Sequence, residues 1–312
     1  MPAASVPSAV PLPTRRQRFF RSAVRIGRSV LIIYLLVLLV LSYFQEYLIF
    51  AGSSMTQGTA DAKVTFLYGV QRVNLTTAGG DRTVAAFALA LTPQGNTHPD
   101  AAHCPTIIYF YGNAMCLAQT DWEIYNFRRL GCNVLIPELV GYGLASGKPS
   151  EANCYATADA AFEYLKTRPD IDHTKIIPAG WSLGAAIACD LAVRKQAEGV
   201  AGLMLVSPFT SLDDQAAHLY PFVPVGLLLK HHFRSIEKIP AFRQPLLLIH
   251  GEEDNIIPVA MSGRLQAAAT ASPKVTRVVI PGVQHNDIYA VGSKEVLDAM
   301  RAYLAPLLPS HP

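Results

Sequence analysis

Hydrophobic and polar positions follow distinct rhythms along this chain, and each rhythm predicts a different element. From Ser29 to Gln45 no residue is charged, and Val30–Val40 is almost wholly aliphatic. An unbroken apolar run of this kind predicts a helix surrounded by apolar material on every side. Seventeen residues lie at the short end for a bilayer span. Tyr47, Leu48, Ile49 and Phe50 extend it if the Glu46 carboxylate reaches back to water. Beyond about residue 62 the rhythm changes to short apolar runs separated by helical stretches. Val70–Thr77 and Thr83–Leu91 flank Ala78-Gly79-Gly80-Asp81 and predict a hairpin. Continuous apolar strands are predicted at Thr106–Phe110, Asn133–Ile136, Lys175–Ala179, Gly202–Val206, Pro245–His250 and Val275–Ile280. Helices are predicted over Ala118–Leu130, Asn153–Arg168, the run beginning at Ala185, and Asp287–Leu304. Continuous apolar strands alternating with helices define the α/β class, a mostly parallel sheet with helices on both faces. Ser211–Gln244, which contains Pro221-Phe222-Val223-Pro224 and Leu227-Leu228-Leu229, is too apolar for a loose loop and predicts a small helical cap.

The expected organisation is a disordered basic N-terminus over 1–27, a transmembrane anchor over 28–46, a connector over 47–62 and one domain over 63–312, with the cap at 211–244. Six arginines (15, 16, 18, 21, 25 and 28) stand before the apolar run. By the positive-inside rule they stay in the cytoplasm, so a single-pass anchor would place the domain on the extracytoplasmic side of the membrane. A cleaved signal peptide fits the charge-then-apolar order, but no small-x-small cleavage site follows. A buried helix of the domain is the third reading.

Composition narrows the function classes. Hydrophobic residues form 51% of the 312 and charged residues 16%, which excludes a disordered protein. The net charge of +3 resides in the arginine block, so the remainder carries −3. No basic face is left for nucleic acid. Five cysteines (104, 116, 132, 154 and 189) give an odd count with no CxxC, which predicts small buried hydrophobes, with one surface disulfide left open. His218, His231 and His232 have no carboxylate at ligand spacing and read as a polar cap surface. No metal and no cofactor is expected.

The chemistry-bearing run is Gly180-Trp181-Ser182-Leu183-Gly184, placed between a strand and a helix. A serine at such a junction sits on a sharp turn with its hydroxyl pushed outward, and flanking glycines are needed where the turn leaves no room for a Cβ. Trp181 is expected beneath the turn. A serine hydroxyl needs a base, and the base needs an acceptor behind it. His285 follows the last predicted strand and Asp254 the one before it, giving the chain order Ser, Asp, His. Asp213, Asp214 and Glu253 are rival acids. The developing oxyanion needs donors, expected from the backbone N–H of Leu183 and of Asn113 in Tyr111-Gly112-Asn113-Ala114, with Ala114 close behind.

These motifs, together with Gly141–Glu151, Ser207-Pro208-Phe209-Thr210-Ser211, Gly251–Pro258 and His285-Asn286-Asp287, resemble the membrane-anchored serine hydrolases of the α/β-hydrolase superfamily, in the serine-aminopeptidase-like branch that includes depalmitoylase-like proteins. The likeness covers residues 65–305. It implies a cofactor-free serine hydrolase acting on esters, thioesters or amides. Tyr111 stands where the branch usually has histidine, and Val140 where it usually has arginine. The N-terminal cysteine cluster of lipid-modified depalmitoylases is absent. Ester or thioester cleavage of a small acyl or lipid-like substrate is the favoured expectation. An aminopeptidase or amidase on the same triad is the first alternative, and a catalytically inactive, membrane-tethered interaction module the second.

Overall fold

The computed structural model describes residues 14–55 and 69–309. The chain divides into two compact units, Met1–Gln45 and Glu46–Pro312. Most of the first unit is the helix α1, Arg15–Ile49, whose last four residues belong to the second unit. The helix begins well before the expected start at 28, so residues 15–27 are ordered where disorder was expected. Arginine, glutamine and alanine favour a helix, no proline interrupts them, and Gly27 alone is too weak a breaker. Among the described residues Arg18–Ile49 is the one helix long and apolar enough to cross a membrane. At 1.5 Å per residue its 32 residues reach roughly 48 Å, more than a hydrocarbon core of about 30 Å requires. The expected disorder of residues 1–13 and the later part of the 47–62 connector lie outside the described residues. The earlier part, to Met55, is built into the second unit, where Ala51–Met55 forms a short helix, α2.

The second unit is organised by one eight-stranded sheet: β1 Val70–Thr76, β2 Arg82–Ala88, β3 Thr106–Phe110, β4 Asn133–Pro137, β5 Ile176–Trp181, β6 Leu203–Val206, β7 Leu246–Gly251 and β8 Val275–Ile280. Their spatial order is β1-β2-β4-β3-β5-β6-β7-β8. Only β2 runs against its neighbours, pairing antiparallel with β1 and β4; the other pairs are parallel. Each residue of β3, β4, β6 and β7 is buried. Continuous burial means that both faces of the sheet are covered, which explains why these strands read as apolar runs. The cover comes from helices α3 Asp121–Arg129, α4 Glu151–Thr167, α5 Leu183–Lys195, α9 Ala260–Ala268 and α10 Ser293–Leu304.

Between β6 and β7 the expected cap is present as α6 Leu212–Leu219, α7 Val225–Leu228 and α8 Ser235–Lys238. Leu212 N–H donates to the His232 carbonyl at 2.7 Å, which closes the insertion on itself. The last helix begins at Ser293, not at 287. Asp287 instead accepts backbone hydrogen bonds from Ala290, Val291 and Gly292, folding the segment into turns that carry Tyr289 back against the sheet. All five cysteines are buried and free, so no disulfide forms.

Candidate active site

Register decides which loops meet. β7 and β8 are paired through Gly251 and Ile280, so the loops that follow them leave the sheet side by side. β5 is paired with β6 and β3, which places the turn after Trp181 beside them at the carboxyl end of the sheet. Open parallel sheets bind ligands at that end.

Ser182 has φ 56° and ψ −117°, a conformation costing on the order of 1–3 kcal/mol for a residue with a Cβ. Packing holds it there. A Cβ on Gly180 would lie 2.2 Å from the Gly184 carbonyl oxygen, and one on Gly184 only 1.9 Å from that of Phe110. Both glycines therefore serve close backbone approach, as the motif predicted.

The three side chains read from the sequence come together. His285 Nε2 lies 3.1 Å from Ser182 Oγ, and His285 Nδ1 lies 2.7 Å from Asp254 Oδ2. With Nδ1–H donating to the carboxylate, Nε2 is left as the acceptor facing the serine hydroxyl. Asp254 is buried, and burial alone would raise its pKa. Donors from His250, His285 and the backbone of Ile257 outweigh that and hold it well below the usual carboxylate range. Its Oδ1 accepts from Ile256 N–H at 3.0 Å and Ile257 N–H at 2.7 Å. The rival acids are engaged in the cap: Asp213 pairs with His232 and Arg234, and Asp214 with Thr210 and Arg264. Glu253 is exposed.

Leu183 opens α5 directly after the serine, so its N–H is one of the helix's unsatisfied donors. The Ala114 N–H, considered beside that of Asn113, is taken. Asn113 Oδ1 accepts it at 2.9 Å, together with Gly52 N–H and Tyr142 O–H at 3.3 Å each. Ala114 itself has φ 60°. The loop after β3 is thus braced by its own asparagine side chain.

Sequence reasoning missed several supports. His250, fully buried at the end of β7, has Nε2 2.9 Å from the Ile257 carbonyl and 3.2 Å from Asp254 Oδ2. Both neighbours are acceptors, so Nε2 carries the proton and holds the acid loop. A histidine four residues before the acid was the available signal. Trp181 does not lie beneath the turn. Its ring stacks on His285 with centroids 5.3 Å apart, and it occupies the space that a Cβ on Gly112 would need. Gly52 touches the same loop from α2: a Cβ there would come within 2.5 Å of Tyr142 Cε1 and 2.9 Å of Ala114 N. One cap histidine also departs from expectation. His231 is buried edge-on against Phe50 at 5.0 Å, since the side chain fills an aromatic pocket and is not solvated. Among the described residues no group of three histidine, cysteine or acidic side chains is placed to hold a metal ion.

The model of the α/β-hydrolase fold matches residues 105–235. An uncharacterized protein of Mycobacterium tuberculosis is 41% identical over 207 residues, 66% of this chain and 72% of that protein. The α/β-hydrolase domain-containing protein WAV2 of Arabidopsis thaliana is 28% identical over 270 residues, 80% of this chain and 84% of its own length. Among solved structures, an esterase of Pyrococcus furiosus superposes with a TM-score of 0.61 at 18% identity, covering 77% of this chain and 93% of that one. Est1E of Butyrivibrio proteoclasticus superposes with a TM-score of 0.58 at 15% identity, covering 77% and 98%. The chain belongs to the α/β-hydrolase fold family.

Proposed function

We propose that this α/β hydrolase cleaves carboxylic esters or thioesters through Ser182, His285 and Asp254. The observation that carries the reading is the continuous relay from Ser182 Oγ to His285 Nε2, and from His285 Nδ1 to Asp254 Oδ2. His285 takes the serine proton as Oγ attacks the acyl carbon, and Asp254 stabilises the imidazolium that forms. The N–H groups of Leu183 and Asn113 receive the developing oxyanion. His285 then passes its proton to the leaving alkoxide or thiolate, and the acyl group stays on Ser182. Water, deprotonated by the same imidazole, attacks the acyl-enzyme and releases the acid, restoring the serine.

The apolar helix acts in this reading as a single-pass anchor. Its arginine block stays in the cytoplasm, and the catalytic unit lies on the other side.

A fluorophosphonate probe is expected to label the wild-type chain and not Ser182→Ala. Labelling that persists in Ser182→Ala would overturn the nucleophile assignment. A paired assay with a p-nitrophenyl acyl ester and an aminoacyl anilide is expected to show ester cleavage. Faster turnover of the anilide would replace the esterase reading with an aminopeptidase.

A further inference from the structure

The cap carries a stretch whose composition does not suit water. Leu219-Tyr220-Pro221-Phe222-Val223-Pro224-Val225-Gly226-Leu227-Leu228-Leu229 contains no charge and ends at Lys230. Phe222 and Leu227 are each 87% exposed, and Leu219 and Tyr220 are also exposed. Contiguous apolar surface of this kind marks a site that meets a partner or a membrane.

Both ends of the stretch are fixed, and each end identifies a neighbour. At its start, Gln215 Nε2 donates to the Ile256 carbonyl at 2.6 Å, while Ile256 N–H donates to Asp254 Oδ1. Leu219 stands one helical turn beyond Gln215, so the apolar surface begins next to the acid loop of the site. At its end, Lys230 Nζ lies 3.7 Å from Glu46 Oε1. The next residues, His231 and Phe233, hold the Phe50 ring with centroids 5.0 and 6.2 Å away. Glu46 and Phe50 bracket the last three residues of the apolar span, which ends at Ile49. Covalent connection alone puts that point at the bilayer boundary if the helix spans.

We propose that Leu219–Leu229 docks into the lipid surface beside the anchor, so that the active site takes its ester from the membrane and not from bulk water. The proposal rests on the anchor and esterase readings above and names their substrate class, a lipid-borne acyl ester. Aromatic and leucine side chains enter the acyl boundary while Lys230 keeps its ammonium among the headgroups. The occupant is a lipid surface, because the patch ends at Lys230, His231 and Phe233, which contact Glu46 and Phe50 at the end of the helix that is long and apolar enough to cross a membrane.

The test uses the full-length chain reconstituted in phosphatidylcholine vesicles. Leu227→Cys carries an environment-sensitive nitrobenzoxadiazole label, and Lys294→Cys on α10 carries the same label as the control. The five native cysteines are buried, so the label goes to the introduced thiol. Doxyl groups on the lipid chains are expected to quench the label at 227 at least twofold more than at 294, with blue-shifted emission at 227. Equal quenching and equal emission at the two positions would overturn the proposal, whatever the enzyme's activity.

A second arm compares substrates. Phe222→Asp combined with Leu227→Asp is expected to lower hydrolysis of a long-chain ester embedded in vesicles tenfold or more. Its rate on water-soluble p-nitrophenyl acetate should stay unchanged. Unchanged vesicle activity would overturn the substrate claim. A wild-type chain that cleaves neither ester would refute the esterase reading instead, leaving the labelling result to decide docking.

Discussion

Two arms of the site are built on different principles. In the proposed site the acid–base arm, Ser182, Asp254 and His285, rests on loops that follow β5, β7 and β8, and the motif residues of each loop lie in one short run of sequence. The proposed oxyanion arm, Tyr111 to Ala114, depends on residues distant in the sequence: Gly52, Glu138 and Tyr142. Gly52 and Asn113 are 61 positions apart, yet they share a hydrogen bond. Local specification makes an arm readable. Remote specification hides an arm from the sequence and couples it to the segment that follows α1.

The largest effect should fall on the local arm. Ser182→Ala removes the proposed attacking oxygen and is expected to lower kcat/KM by about 10⁵-fold while leaving Tm within a few degrees of wild type. Steady-state kinetics on a soluble ester together with thermal unfolding check both halves. Retention of more than a hundredth of the activity would break the division of labour between the arms.

The contrast also explains what was legible. The elbow was readable because the sharp turn at Ser182 brings Gly180 against Gly184 and Gly184 against the Phe110 carbonyl, so glycine stands at both flanking positions of a five-residue motif. The sheet was readable because double-sided burial leaves strands of continuous hydrophobicity. The order of Asp254 and His285 followed from the strands that precede them. The start of α1 was missed because charge suggested a solvated tail, whereas helix propensity needs no burial. The turns over 286–292 were missed because their sequence carries apolar residues at helical spacing, whereas the chain there closes in turns whose N–H groups at 290, 291 and 292 all donate to the one Asp287 carbonyl. The role of Gly52 had no local signal, since its constraint is a contact with Tyr142 and Ala114.

A second prediction tests a support beneath the acid–base arm. Tyr109 O–H lies 3.3 Å from Glu123 Oε1 and 3.1 Å from Tyr289 Oη, and Tyr289 packs edge-on against Trp181, which stacks on His285. Burial pushes Glu123 up to about 7 from 4.5. The folded state therefore holds a proton between those values that the unfolded chain releases. Stability is full below about 4.5 and falls as pH rises to about 7, by roughly 3 kcal/mol in all. Glu123→Gln keeps an acceptor for Tyr109 without the charge. It should raise Tm at pH 8, leave Tm at pH 4.5 unchanged, and flatten the curve between. A curve parallel to wild type would show that Glu123 is not the titrating group.

Gly52→Val addresses the remote arm directly. Its side chain would collide with Tyr142 and the backbone of Ala114, shifting the loop that carries the Asn113 N–H. The expected loss in kcat is about ten- to hundredfold, the size of a misplaced oxyanion donor, with KM near wild type. An equal loss from both parameters would point to a disturbed binding surface instead.

The smallest effect belongs to Tyr111→Phe, which separates the two buried carboxyl groups that flank the sheet's centre. Tyr109 and Tyr111 stand two positions apart at the end of β3, and each faces one of them: Glu123 on the acid–base arm, Glu138 on the oxyanion arm. Tyr111 O–H donates to Glu138 Oε1 and accepts from Leu139 N–H at 2.9 Å, while Leu117 N–H donates to the same carboxyl oxygen at 3.0 Å. Burial pushes Glu138 up, and the Tyr111 and Leu117 donors pull it back. Phenylalanine leaves the Leu139 N–H without its acceptor and removes one donor from the carboxylate, at a cost of about 1–3 kcal/mol. Glu138 then titrates still higher in the folded state, so the lost stability should grow as pH rises above the unfolded carboxyl value and shrink as pH falls toward it. Thermal unfolding of Tyr111→Phe across pH 4 to 8 reads this slope. A pH-independent deficit would mean that the hydroxyl serves only as the acceptor for the Leu139 N–H and does not tune the Glu138 carboxyl.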